Sequence, residues 1–339
     1  MTNAGALRDR SRANGSRPLA IGLVNNMPDA ALRSTERQFR ELLDGAAGGR
    51  AIELRVFSLQ DLPRSAAARQ YVRDYHEGID ALWHAELDGL IVTGTEPRAA
   101  DLADEPYWPA LTRLIDWAAE NTAATIWSCL AAHAAVRHLD RVGRHLRPTK
   151  LCGLFDAVKA GEHPIFAGAP LRWPVPHSRC NELREGELTA RGYRILARSA
   201  GAGVDMFAKR MPSLFLFLQG HPEYDGEALM REYRRDVGRY LAGERDDHPD
   251  LPQGYFDDSA SEVLLAFRER AVRERSPALL AEFPLAAARR NLTAPWRATS
   301  CRLYANWLGY LAEARLGAAE AGRYRPVAEP EPEWSPAYG

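Results

Sequence analysis

The chain has 339 residues, 46% of them hydrophobic and 26% charged, with a formal net charge of −1 at neutral pH. That length suits one large or two ordinary domains with a sizeable core, and the near-neutral balance argues against a nucleic-acid binder, where a basic excess is expected. No apolar run reaches the ~18 residues of a membrane span.

Residues 1–18 lack the apolar stretch of a secretory signal and read as a short disordered lead. Strand and helix signals then alternate. LAIGLV (19–24) is a short apolar run followed by the turn-like NNMPD, and 31–43 has helical spacing. AIELRVFSL (51–59) alternates as a strand, 69–85 is expected as a helix, and DGLIVTG (88–94) is a buried strand closed by glycine. A helix over 107–121 carries Pro109 in its first turn, where proline is tolerated. AATIW (123–127) is another buried strand, and a helix starts at Leu130.

From 141 to 210 the pattern is less regular, with short strands at RILARS and VDMFAKR. LFLFLQ (214–219) restores a buried strand, and helices are expected over 226–242, 258–274, 277–289 and 299–317. The run RERAVRER (268–275) mixes signs and reads as a solvated helix face. Residues 319–339, rich in proline and glutamate, read as a loose tail. The organisation is a disordered lead (1–18), a single domain (19–318) and the tail. The fold class is α/β: a doubly wound, mostly parallel sheet with a helical C-terminal extension.

In such sheets chemistry gathers at the carboxyl ends of the strands. Cys129 falls at one such end, immediately before a helix. A free cysteine is more often a small core residue. A helix N-terminus, however, favours thiolate, and the backbone N–H of Leu130 is placed to hold an oxyanion. In QGHPEYD (219–225), His221 follows a buried strand and Glu223 lies two residues on, so in an extended chain both side chains point the same way. Opposite a strand-end cysteine these complete a nucleophile, base and orienting acid. The four cysteines (Cys129, Cys152, Cys180, Cys301) make no CxxC pair and no metal spacing, which fits a reducing cytoplasm and no metal.

Several motifs occur in order: NNMP then STERQFREL, LDGLIVTG then PYW, the Cys129 turn, KLCGLFD (150–156), PHSR (176–179), QGHPEYD, EYRRD (232–236) and WRATSCRLYANWLGYL (296–311). Together they resemble the homoserine O-acyltransferases of the succinyltransferase and acetyltransferase types, over about residues 19–312. That family adapted the flavodoxin-like class I glutamine amidotransferase fold. The resemblance implies Cys129 as acylated nucleophile, His221 as general base and Glu223 as its partner. It implies substrate contacts from Lys150, Ser178 and Arg235, with Arg179 and Asn25 as lesser candidates. It also implies methionine biosynthesis in the cytoplasm, a homodimer, no membrane partner, and no tightly bound cofactor.

Each role has a plainer alternative: a surface lysine for Lys150, a turn serine for Ser178, an ion pair with Asp236 for Arg235, and a structural ion pair for Arg179. The expected chemistry is ping-pong. The Cys129 thiolate takes an acyl group from an acyl-CoA, with Leu130 and Thr95 N–H groups on the oxyanion, and the acceptor hydroxyl then attacks. The family pattern is broken at Asp29-Ala30, Leu130, His133, Ala157 and Thr299. Arg98 stands where the family chooses its acyl group. A guanidinium there favours succinyl-CoA over acetyl-CoA, although a surface arginine fits as well. The other readings are a homoserine or serine O-acetyltransferase paralogue, a glutamine amidohydrolase, and a non-catalytic protein that binds an amino acid or CoA ester.

Overall fold

Short runs of β-branched and large apolar residues, each too short for a helix and each bounded by turn residues, become the centre of one sheet. The computed structural model describes residues 17–323. In chain order the elements are β1 (Leu19–Val24), α1 (Asp29–Ala46), β2 (Ile52–Ser58), α2 (Ala66–Tyr75), β3 (Glu77–Gly78), α3 (Ile79–Leu82), β4 (Gly89–Val92), α4 (Trp108–Asn121), β5 (Ala124–Ser128) and α5 (Leu130–Asp140). There follow β6 (His145–Lys159), β7 (Arg172–Glu182), α6 (Glu185–Ala190), β8 (Arg194–Ser199), β9 (Gly203–Arg210), β10 (Leu214–Leu218), α7 (Ala228–Leu241), α8 (Asp258–Glu274), α9 (Leu285–Arg289) and α10 (Arg297–Arg323).

The strand order is β3-β2-β1-β4-β5-β10-β9-β8-β6-β7. The first six strands are parallel, and from β10 onward every pairing is antiparallel. The antiparallel half lies in the stretch that reads as irregular in sequence.

Side-chain alternation along the central strands makes the sheet two-sided. Leu90, Val92, Trp127, Phe215 and Phe217 share one core with α4 and α5. Ile91, Ile126, Leu216 and Leu218 face the other way, onto α1 and α10. Helices on both faces are what a doubly wound sheet requires. Helices α7, α8 and α9 bury their own apolar set, with Met230, Tyr233, Val237, Leu264 and Phe267 at its centre. This is the expected helical extension.

Two expected helices are cut short or broken. The helix expected over 69–85 stops at Tyr75, because His76 turns extended (φ −107°, ψ 151°) and sends its ring inward to Glu36, 2.7 Å away. The short β3 and α3 follow. The helix expected over 277–289 is a 3₁₀ turn (Pro277–Glu282) and then α9, separated by Phe283-Pro284. Proline cannot continue a hydrogen-bonded helix.

Helix α10 runs on to Arg323, beyond the expected boundary at 318. Apart from residues 17–18 and 319–323, the lead and the tail lie outside the described residues. No described helix is long and apolar enough to cross a membrane.

Candidate active site

Strand β5 runs straight into α5, and the chain makes that turn in a single residue. Cys129 takes φ 51°, ψ −114°, a conformation costly for a residue with a Cβ; such outliers persist where the surroundings over-determine them. Here the surroundings are visible. The Cys129 N–H donates to Leu218 O at 2.7 Å, and the Cys129 carbonyl accepts from Ala132 N–H at 3.0 Å. The sulfur is thereby held at the N-terminus of α5. Ala131, Ala132, Ala134 and Ala135 are all buried and let α5 approach the sheet closely.

The strand beside β5 is β10, paired in parallel with Ser128 opposite Leu218. This adjacency closes the long sequence gap between Cys129 and QGHPEYD. Past β10, Gln219 N–H donates to Asp205 O and His221 N–H to Pro176 O, both at 2.8 Å. Gly220 is required between them. A Cβ there would lie 2.4 Å from Val175 Cγ1 and 2.7 Å from Asp205 Oδ1.

His221 Nδ1 meets Glu223 Oε1 at 2.8 Å, with both residues about 5% exposed. Burial alone would push the imidazole pKa down. The Glu223 charge, the Cys129 charge and side-chain hydrogen bonding to both reverse this and raise it well above the ordinary histidine value. An imidazolium is therefore favoured between a carboxylate and the sulfur. The triad expected from sequence is brought together.

The N–H groups of Leu130 and Thr95 have no hydrogen-bond partner among the described residues. Gly94 permits a close approach of its turn to the start of α5: a Cβ on it would lie 2.7 Å from Leu130 Cβ and 2.9 Å from Leu130 N. Beside them a small cleft is lined by Gly94, Thr95, Tyr107, Leu111, Leu130 and Ala134 among others.

Lys150, Ser178 and Arg235 form a second cluster around two acids on one face of α7. Lys150 Nζ donates to Asp236 Oδ2 at 2.6 Å and lies 3.9 Å from Glu232 Oε2. Ser178 Oγ donates to Glu232. Arg235 Nε and Nη2 donate to Asp236 Oδ1 at 3.0 and 2.9 Å, which is the ion pair named as its alternative role. Its Nη1 has no partner among the described residues. Burial pushes the Glu232 carboxyl pKa up, but Lys150, Arg235, His221 and the Ser178 bond hold it below the usual range. Cys152 borders this cluster; burial, with Glu232 and Asp236 beside it, pushes its thiol up to about 11.

Other expected residues stand apart. The Arg98 side chain is exposed and unpaired among the described residues, while its N–H and that of Ala99 donate to the buried Glu105 carboxylate. Asn25 is tied into α1, donating to Leu32 O (2.9 Å) and Glu36 Oε1 (3.1 Å). Arg179 is buried and makes no ion pair among the described residues; it donates to the carbonyls of Asn181 (2.7 Å) and Ala202 and to His177 Nδ1 (3.4 Å).

His133 is a packing residue bonded to Gln219 Oε1 at 3.1 Å, and burial, the leading cause, lowers its pKa to about 3. Asp29 accepts from Ser65 N–H at 2.8 Å, and Ala157 and Thr299 are buried. Sequence reasoning missed Tyr224 and Glu232. The available signal was the three- and four-residue spacing of Glu232, Arg235 and Asp236, which sets them on one helix face. No group of three or more His, Cys, Asp or Glu side chains among the described residues is arranged to hold a metal.

The family model described as homoserine O-succinyltransferase matches residues 4–316. A protein of that name from Methylorubrum extorquens is 50% identical over 297 residues, covering 88% of each chain. One from Bradyrhizobium japonicum is 50% identical over 303 residues, covering 89% of this chain and 93% of the relative. Among solved structures, a glutamine amidotransferase from Thermotoga maritima aligns over 87% of this chain and 99% of its own, at 12% identity and a TM-score of 0.48.

Proposed function

Since the chain belongs to the homoserine O-succinyltransferase family, we propose that it transfers a succinyl group from succinyl-CoA to the hydroxyl of homoserine, through a thioester on Cys129. The observation that carries this reading is the strained Cys129 turn facing a His221 imidazole that Glu223 holds from behind.

In the first half-reaction the Cys129 thiolate attacks the donor thioester carbon. The N–H groups of Leu130 and Thr95 receive the oxyanion. The carbon–sulfur bond to CoA breaks, and the departing thiolate takes the proton from His221. In the second half, His221 removes the proton of the homoserine hydroxyl as its oxygen attacks the acyl carbon. The bond to Cys129 breaks and O-succinylhomoserine leaves, with the imidazolium–thiolate pair restored.

An amino-acid acceptor brings a carboxylate and an ammonium. Arg235 Nη1 suits the first and the Glu232 carboxylate suits the second; Ser178 donates to that carboxylate, and Lys150, bonded to Asp236, stands 3.9 Å from it. Arg98 is assigned to the donor's free carboxylate, because it is a mobile-length cation on the loop after β4. The product places the enzyme in methionine biosynthesis, with small-molecule substrates. A homodimer in the cytoplasm is part of the same proposal, the dimer being readable by light scattering.

Intact-mass measurement after mixing with succinyl-CoA tests the reading. The expected result is a gain of one succinyl group, lost when homoserine is added and absent in Cys129→Ser. An acetyl adduct in preference to succinyl reassigns the donor, and glutamate release from glutamine without an acyl adduct overturns the reading.

A further inference from the structure

One aromatic ring lies flat on the candidate base. The Tyr224 ring and the His221 imidazole have centroids 4.2 Å apart and planes inclined by 17°. Tyr224 is 6% exposed and its backbone is pinned on both sides. Its N–H donates to His221 O at 3.2 Å, and its carbonyl accepts from Trp296 Nε1 at 2.9 Å. The hydroxyl donates to Glu232 Oε1, while the other Glu232 oxygen accepts from Ser178. A single side chain therefore touches the imidazole with its ring and the acceptor cluster with its hydroxyl.

We propose that Tyr224 is a positioning residue that ties the acceptor site to the orientation of the His221 imidazole, and that it serves the second half-reaction more than the first. The inference rests on the acyl-cysteine reading above. In the free enzyme the imidazole is held from two directions, by Glu223 on Nδ1 and by the Cys129 sulfur. Once that sulfur carries an acyl group it offers neither charge nor proton, and one anchor is gone. What remains is Glu223 and the face of Tyr224. The ring face also favours an imidazolium as the acceptor hydroxyl gives up its proton. The place of the ring is set by Glu232, which is the carboxylate that the acceptor's ammonium would meet. His177 and Glu232 are the other titratable groups near enough for their charges to act on His221.

Rapid-quench intact-mass measurement separates the two half-reactions. Tyr224→Phe keeps the stacked ring and removes only the hydroxyl. It is expected to acylate from succinyl-CoA within about twofold of the wild-type rate and to pass the acyl group to homoserine about tenfold more slowly, the scale of one lost hydrogen bond to a charged group. Tyr224→Leu, which also removes the stack, is expected to slow transfer further while its adduct still forms. Equal slowing of both steps in Tyr224→Phe, or slowing of neither, overturns the proposal. Absence of any adduct on the wild-type protein instead overturns the acyl-cysteine reading itself.

Discussion

Cys129 leaves a parallel strand, whereas Cys152 sits within the antiparallel strand β6, and the two thiols meet different surroundings. At the end of β5 the chain must change direction, so the thiol emerges at a helix N-terminus beside N–H groups unpaired among the described residues. Within β6 the backbone continues past Cys152, which lies opposite Ser178 in register and close to acids. The contrast extends to the whole sheet. Parallel strands all end on one side, and their ends collect Cys129, the Gly94 turn and QGHPEYD in one place. Antiparallel strands deliver residues along their length instead, and they supply the Lys150 and Ser178 wall of the proposed acceptor cluster. His221, the proposed base, stands at the seam, after β10 and bonded to β7 through Pro176.

The harshest way to break this division is at the triad. Cys129→Ser should lower turnover on the order of 10⁴-fold or more, with no acyl adduct by mass, while the fold survives. Glu223→Gln should cost on the order of 10²- to 10⁴-fold, because the imidazole loses the charge that orients it. The same variant has a signature in stability. His221 has a folded-state pKa raised above its unfolded value near 6.5, so its contribution is fully present below that pH and is lost as pH rises through the raised value. Wild-type thermal stability should therefore fall more steeply than that of Glu223→Gln as pH increases above about 6.5. Parallel Tm curves for the two proteins would sink this account.

A smaller effect tests the turn rather than the triad. Gly94→Ala should lower acylation by about 10²-fold, the scale of one misplaced oxyanion donor. Its new methyl meets Leu130 where that residue's N–H is needed. Unchanged single-turnover acylation would show that Gly94 serves only packing.

The two halves also differ in how legible they are. β1, β4, β5 and β10 are buried on both faces and announce themselves as short apolar runs closed by turn residues. The structure sets β10 beside β5 in parallel, and with that pairing Cys129 and His221 come together. The 15-residue β6 hides because its pattern is interrupted. Leu146 is 78% exposed, and the pairing with β7 shifts register between Leu146 and Leu151. Lys150 and Ser178 were legible only through the family motifs, since neither carries a local signal of a site, whereas Arg235 shares one helix face with Glu232 and Asp236 by spacing. Tyr224 escaped because its role is a ring face and a hydroxyl aimed at different partners, which no spacing rule encodes. The end of α2 escaped because a buried His76–Glu36 contact overrides helix propensity.

The mildest prediction concerns the second thiol. With its pKa pushed up to about 11 by burial and by its acidic neighbours, Cys152 remains a neutral thiol at working pH and is a poor nucleophile. Cys152→Ala should leave acyl transfer within a few-fold of wild type, since it removes a small side chain but none of the bonds around Glu232. Iodoacetamide followed by peptide mapping at pH 8 should label Cys129 and leave Cys152 unmodified. Labelling of Cys152 at that pH, or an acyl adduct mapped to it in Cys129→Ser, would mean that the antiparallel half carries a working nucleophile. The division between the sheet's two halves would then fail, because chemistry would no longer require a chain that turns at a parallel strand end.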